Sequence, residues 1–434
     1  MSERLIRGPL LHCLAEPDSQ DDAVEYIADA LLWLKHGRVH QLTDYAETDA
    51  LLTLEQRASV EDQGDYLMVP GFVDCHIHYP QTEMIAAYGT QLLEWLNTYT
   101  FPVESSFGDV DKAAKVAKVF IDQLLTNGTT TALVFCSVHP ESVDALFSEA
   151  QQHQMRLIAG KVMMDRNAPE SVLDTAQTSY DQSKQLIERW HGVDRLQYAV
   201  TPRFAPTSTD EQLQAAGRLL AEHEGVYLHT HLSENVDEIE WVKQLFPNAK
   251  NYLNVYDQAG LLGKRSVFAH GIHLCDSECE RLAQTDSAIA HCPTSNMFIG
   301  SGLFPMQRLQ DHGIKIGMGT DVGGGTSFNM LQTLADGYKM QQLNGNNLSP
   351  EQSFYLATLG GAKALDMDDK IGNFTVGKEA DFLLLDPNAT PLLEFRNQHC
   401  KNWRDTLFVL QTLGDDRVIA QTNVMGQPVS FAAL

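Results

Sequence analysis

From residue 70 to 371 the chain alternates short apolar runs with longer stretches in which apolar positions recur every three or four residues. Eight of the runs have strand length, at 68–77, 130–137, 156–163, 197–200, 226–230, 266–270, 288–291 and 315–319. The stretches between them predict helices, among them 111–125, 179–190 and 210–223. Alternation of this kind and count predicts an α/β fold in which eight parallel strands close into a (β/α)8 TIM-type barrel. An open doubly wound sheet is the alternative, but no dinucleotide-type glycine fingerprint follows the first strand.

The two ends have a different texture. Residues 3–14, 23–34 and 38–42 read as short strands, and so do 380–385, stopped by Asp386-Pro387, and 417–424. The expectation is a small β-sandwich domain assembled from 1–69 together with 372–434, with the barrel of 70–371 inserted between its halves.

Composition narrows the function classes. Of 434 residues 43% are hydrophobic and 20% charged, which excludes a disordered chain. Asp and Glu outnumber Lys and Arg 57 to 31, and the net charge of −26 repels phosphate backbones and anionic headgroups, so neither nucleic acid nor a membrane surface is an expected partner. No run has the length of a membrane span, and residues 9–15 are too short for a secretory core. Seven scattered cysteines, with no second pair near Cys275 and Cys279, read as reduced thiols in a cytoplasmic protein.

In a barrel the chemistry gathers where strands end. The first strand ends in Asp74-Cys75-His76-Ile77-His78, the fourth runs into Thr201-Pro202-Arg203-Phe204, and the fifth into His229-Thr230-His231-Leu232-Ser233-Glu234. The sixth ends at His270, the seventh at His291-Cys292, and the eighth at Thr320-Asp321. Residues two apart on a strand share a face, so His76 and His78 converge on one ion, with His231 as a further ligand and His229 one layer deeper. Asp321 supplies an anionic oxygen and leaves a coordination position open for water, as in catalytic zinc sites. Glu234, on the loop, reads as a proton shuttle, and His270 lies close enough to hydrogen-bond the water. The fourth strand has no lysine to bridge a second metal, and Lys161 on the third reads as structural, so one divalent metal is expected, zinc or iron. No Pro-Cys-x-x-Cys zinc motif is present.

Pro70-Gly71-Phe72-Val73-Asp74-x-His76-x-His78, with the His of strands five and six and the Asp of strand eight, resembles the amidohydrolase superfamily. Finer motifs are similar to the guanine deaminase family: His78-x-x-Gln81, Leu92-Leu93-Glu94-Trp95-Leu96 with Tyr99-Thr100-Phe101-Pro102, and Thr201-Pro202-Arg203-Phe204. His231-Leu232-Ser233-Glu234-Asn235, His291-Cys292-Pro293-x-Ser295-Asn296 and Gly319-Thr320-Asp321-Val322 extend the likeness. The resemblance implies His76, His78, His231 and Asp321 as metal ligands, and Gln81, Arg203, Phe204, His231 and Glu234 as substrate contacts. It also implies that Glu234 and Asp321 handle protons, with His270 beside them. The activity implied is hydrolysis of guanine to xanthine and ammonia, in a cytoplasmic homodimer. Arg203 is a fixed fork of donors suited to a ring carbonyl, and Phe204 and Trp95 are placed to flank a flat ring. The alternatives are a relative acting on another purine, pyrimidine or triazine, and a barrel kept only as a scaffold.

Overall fold

The computed structural model describes residues 3–17, 23–88 and 91–430. Eight parallel strands pair with their neighbours in chain order: β1 (Phe72–His78), β2 (Thr129–Phe135), β3 (Arg156–Gly160), β4 (Leu196–Pro202), β5 (Tyr227–Leu232), β6 (Ser266–His270), β7 (Ala288–His291) and β8 (Lys315–Met318). At the C-terminal end of the barrel, β1 is linked to the chain leaving β8. The Asp321 N–H donates to His76 O (2.9 Å) and the His78 N–H to Val322 O (3.0 Å). The predicted helices are present as Val110–Thr126, Ala176–Trp190 and Asp210–Glu222, started by side-chain caps from Asp109, Thr175 and Thr209.

Side-chain parity explains why the strands read as apolar runs rather than alternating ones. Leu133, Ile158, Ala199, Tyr227 and Val267 pack inside the barrel. Their strand neighbours Val134, Leu157, Tyr198, Leu228 and Phe268 pack outward in the cluster that includes Phe120, Leu124 and Leu146 of the helices. Both faces are buried, so both must be apolar.

The predicted strand 68–77 is divided between two sheets. Leu67–Pro70 pairs antiparallel with Phe382–Leu385, whereas β1 begins at Phe72. Gly71 makes the crossing, and a Cβ there would lie 2.1 Å from Thr130 Oγ1. The terminal strands form one hydrogen-bonded sheet: Gln427–Pro428, Ile419–Val424, Phe382–Leu385, Leu67–Pro70, Arg4–Cys13, Val24–Lys35 and Arg38–Asp44 in order, with Val60–Asp62 beside Arg4–Cys13. A bridge from Arg38 to Glu379 brings its last strand back toward the chain entering Phe382–Leu385. The curl encloses Ile6, Leu32, Met68 and Phe382 in a core of their own. Two helices that the strand reading of the C-terminal end did not foresee, Pro391–Asn397 and Trp403–Leu413, follow Phe382–Leu385. Phe408 of the second meets Tyr338 of the barrel helix Met330–Leu343, with ring centroids 5.0 Å apart.

A buried ion cluster ties this sheet to the barrel. Arg156 and Arg195 both donate to Glu379, with shortest contacts of 2.7 Å from each, and Arg195 also donates to Asp381. No helix among the described residues is long and apolar enough to cross a membrane.

Candidate active site

Strand parity alone would turn His76 and His78 away from the barrel interior, because Val73 and Cys75 pack inside. A one-residue bulge between Asp74 and Ile77 resets the phase. Ile77 then joins the outer core, and His76 and His78 point into the barrel mouth. Cys75 keeps its thiol on Gly361 O (3.7 Å), away from the histidines. On β5 no reset is needed, since Tyr227, His229 and His231 share the inner face. On β6 Phe268 faces the helices, and parity would send His270 the same way. Its backbone instead turns into the left-handed region (φ 71°), and the ring swings to the mouth. Asp321 and Ser233 have positive φ as well (50° and 49°), so three strand ends around the site carry backbone strain of about 1–3 kcal/mol each.

The side chains converge tightly. His76 Nε2 and His78 Nε2 lie 3.1 and 3.3 Å from Asp321 Oδ1, and His231 Nε2 lies 3.3 Å from His78 Nε2. Ring nitrogens of His76, His231 and His270 fall within 4.8 Å of one another, as do donor atoms of His76, Cys292 and Asp321. The outward nitrogens are held from behind. His76 Nδ1 is 2.8 Å from His229 Nε2, and His231 Nδ1 is 2.8 Å from Arg203 O. A carbonyl only accepts, so His231 carries its proton on Nδ1 and keeps a lone pair on Nε2. His76 Nε2 is buried without a hydrogen-bond partner. Burial lowers the pKa of His76 and His231 and brings His78 down to about 3, so all three rings are neutral. Three neutral imidazoles and one carboxylate, with an inward nitrogen left unsatisfied, fit a single divalent cation.

Two carboxyls at the site are driven apart. Burial pushes Asp321 up, but His76, His78 and His270 outweigh it and hold it well below the usual range. Burial and the charge of Asp321 push Glu234 up to about 8. Glu234 accepts from Ser301 Oγ (2.9 Å) and lies 3.4 Å from His270 Nε2, while His270 Nδ1 sits 2.9 Å from Asn296 Oδ1. Asp74 anchors the seam by accepting from the backbone N–H groups of His76 and Thr320 and from Thr320 Oγ1.

A pocket opens over this cluster. His78, His231, Glu234, His270 and Asp321 line its floor, Gln81 and Arg203 its polar wall, and Leu92, Trp95, Leu96, Phe204 and Ile299 its apolar walls. Every residue expected to bind metal, contact substrate or handle protons lines it except His76, which lies beneath. His291 does not join: by parity it faces outward, stacked on Phe304 at 4.1 Å. Lys161 is engaged with Asp174 and takes no part.

Asn296, Ser301 and Glu104 also shape the site, though the sequence pattern does not single them out. Asn296 closes the run His291–Asn296 after the seventh strand and Glu104 follows two residues after Phe101-Pro102, but nothing in the spacing of either ties it to the strand-end histidines. Glu104 is fully buried and accepts from Gln81 Nε2 (3.0 Å) and Arg203 Nη1 (2.7 Å).

Residues 67–429 match the amidohydrolase family. The chain is similar to the guanine deaminase of Escherichia coli (strain K12), 53% identical over 429 residues that cover 98% of this chain and 97% of the relative. Among solved structures it is similar to E. coli guanine deaminase, with a TM-score of 0.95 at 53% identity over 98% of this chain and 99% of that one. It is also similar to the guanine deaminase of C. acetobutylicum with bound guanine in its active site, with a TM-score of 0.89 at 28% identity over 99% and 100%. With the metal-ready cluster at the mouth of a barrel and this match across its length, the chain belongs to the amidohydrolase family.

Proposed function

We propose that the protein is a guanine deaminase, hydrolysing guanine to xanthine and ammonia with one divalent metal, zinc in preference to iron, held by His76, His78, His231 and Asp321. The observation that carries the reading is the pairing of two opposed surfaces in one pocket. The floor offers neutral imidazoles beside one ionised and one protonated carboxyl, and the wall offers the Arg203 fork and the Gln81 amide. Near-full-length likeness to proteins named guanine deaminase supports the same substrate.

A divalent ion held by His76, His78, His231 and Asp321 would lower the pKa of water towards 7 and so supply hydroxide at neutral pH. The protein's own groups do the rest. Arg203 donates to the ring carbonyl, Gln81 hydrogen-bonds the ring, and Phe204 and Trp95 flank its faces while Leu92, Leu96 and Ile299 exclude bulk solvent. Adenine offers Arg203 no carbonyl to accept its hydrogen bond. Glu234, raised to about 8, still carries a proton at neutral pH. It gives that proton to the ring nitrogen beside C2 as oxygen adds, making C2 tetrahedral. Asp321, held ionised, takes the proton released by the attacking water and passes it to the exocyclic amine, with His270 orienting the oxygen. The C2–N bond breaks, ammonia leaves, and the proton remaining on the added oxygen returns to Glu234 as the C2–O bond becomes the carbonyl of xanthine. A positioned acid or base of this kind contributes about 10²–10⁴ in rate.

The test is ammonia release with chromatographic identification of xanthine, using zinc-loaded protein and guanine beside adenine, cytosine and a triazine. Selective guanine turnover is expected. Turnover of another compound in its place would keep the metal site and discard the pocket reading, and no turnover with metal bound would leave the scaffold. The proposal includes a homodimer in the cytoplasm, and size-exclusion chromatography with light scattering tests the assembly.

A further inference from the structure

We propose that Glu104 is a positioning residue that sets the hydrogen-bond polarity of the substrate pocket through its contacts with Gln81 and Arg203. The inference rests on the guanine reading and names what enforces its selectivity. Glu104 lies at the end of the helical run 92–104, which also supplies Leu92, Trp95 and Leu96 to the pocket wall. Its own side chain does not line the pocket; it stands behind Gln81 and Arg203, each only 2% exposed.

A carboxylate paired with a guanidinium offers acceptors and nothing else. Gln81 must therefore turn its amide nitrogen to Glu104 Oε1 (3.0 Å), which leaves its amide oxygen, an acceptor, for the pocket. Without such a partner an amide can present either end. Glu104 Oε2 takes Arg203 Nη1 at 2.7 Å, balances its buried charge and fixes the plane of the fork, whose other N–H groups remain to donate. The Phe101 ring, 5.5 Å from the Arg203 guanidinium carbon, packs on the same fork from the same run. One carboxylate thus holds the wall as a donor beside an acceptor. That wall matches a ring presenting a carbonyl and an N–H, and mismatches a ring with an amine where the carbonyl should be.

Steady-state kinetics of the zinc-loaded enzyme test this with guanine and 2,6-diaminopurine, whose amine replaces the ring carbonyl. The proteins are wild type, Glu104→Gln, Gln81→Met and the double variant. Losing a buried charged acceptor predicts that Glu104→Gln raises KM for guanine by about 10–100-fold, with a smaller change in kcat. The preference for guanine over the diaminopurine should fall by a similar factor, and Gln81→Met should cost far less in the Glu104→Gln background than alone. An unchanged preference and KM, with any loss confined to the yield of folded protein or to kcat, would overturn the proposal. If wild type fails to turn over guanine, the functional reading falls first, before any variant is compared. Should Glu104→Gln not fold, a wild-type structure with guanine bound decides. Gln81 Oε1 on a ring N–H supports the assignment, and Gln81 Nε2 or Glu104 itself on the substrate refutes it.

Discussion

Replacing Glu234 by glutamine should damage catalysis and relieve the fold at once. Glu234 is buried, and folding raises its pKa from 4.5 to about 8. A carboxyl raised on folding opposes folding wherever the unfolded chain is ionised and the folded one is not. The cost is absent below about pH 4.5, grows by about 1.4 kcal/mol per pH unit, and levels off above about pH 8. At pH 7 it amounts to about 3 kcal/mol in metal-free protein, a cost that glutamine does not carry. For 434 residues, with about 2.1 cal/mol/K of unfolding entropy each, that corresponds to a Tm higher by about 3 °C. Glutamine keeps the volume and can still accept from Ser301, and Glu234 is outside the proposed ligand set, so metal content should be unchanged. Turnover should fall by about 10²–10⁴ because an amide does not release a proton near neutral pH. The assay is calorimetry of chelator-treated wild type and variant at pH 5 and pH 8, with kcat and metal content measured on the loaded proteins. A stability difference that does not widen from pH 5 to pH 8 would refute the electrostatic argument. Near-normal turnover would remove Glu234 from the mechanism.

Three further outcomes are expected. Glu379→Ala leaves the buried Arg156 guanidinium without its carboxylate and strips Arg195 of one of two, so urea denaturation should register a loss of about 3–5 kcal/mol, with the activity of folded protein retained. Chelation should abolish turnover and lower the Tm, and zinc at about 1,000 times its Kd should restore about 4 kcal/mol to wild type but little to His76→Ala, as followed by thermal melts with metal analysis. Asn296→Ala removes the acceptor that holds His270 Nδ1 at 2.9 Å, and kcat should drop by about 10–100-fold with metal content intact.

How far the site could be read from the chain differs from strand to strand. On β5 the inward aim of His229 and His231 is legible, because both follow the same parity as Tyr227 and only the period of two is needed. On β1 the conclusion that His76 and His78 face inward together holds, but a bulge delivers it, and simple alternation from Val73 would have pointed both outward. His270 was found by its place at a strand end, although its inward aim depends on a positive φ that no residue type announced. His291 shows the converse: it has the same kind of position, yet parity keeps it in the outer core against Phe304. Glu104 went unread because its meaning lies in Gln81 and Arg203, distant in sequence and brought to it only by folding.

What the amino-acid sequence determined by itself is what depends on composition and local period. Eight apolar runs separated by helical ones specify a barrel, strand-rich ends specify a second sheet, and the residue types at strand ends specify a mouth lined by histidines and carboxylates. Tertiary structure alone decided the rest. It set the break at Gly71 between two sheets, the curl that brings Arg38 to Glu379, the reset of strand phase at the histidines, and the burial that leaves Glu234 protonated beside an ionised Asp321. Local pattern states which side chains are available. Their protonation and direction come from the field and packing of neighbours that only the closed fold brings within a few ångströms.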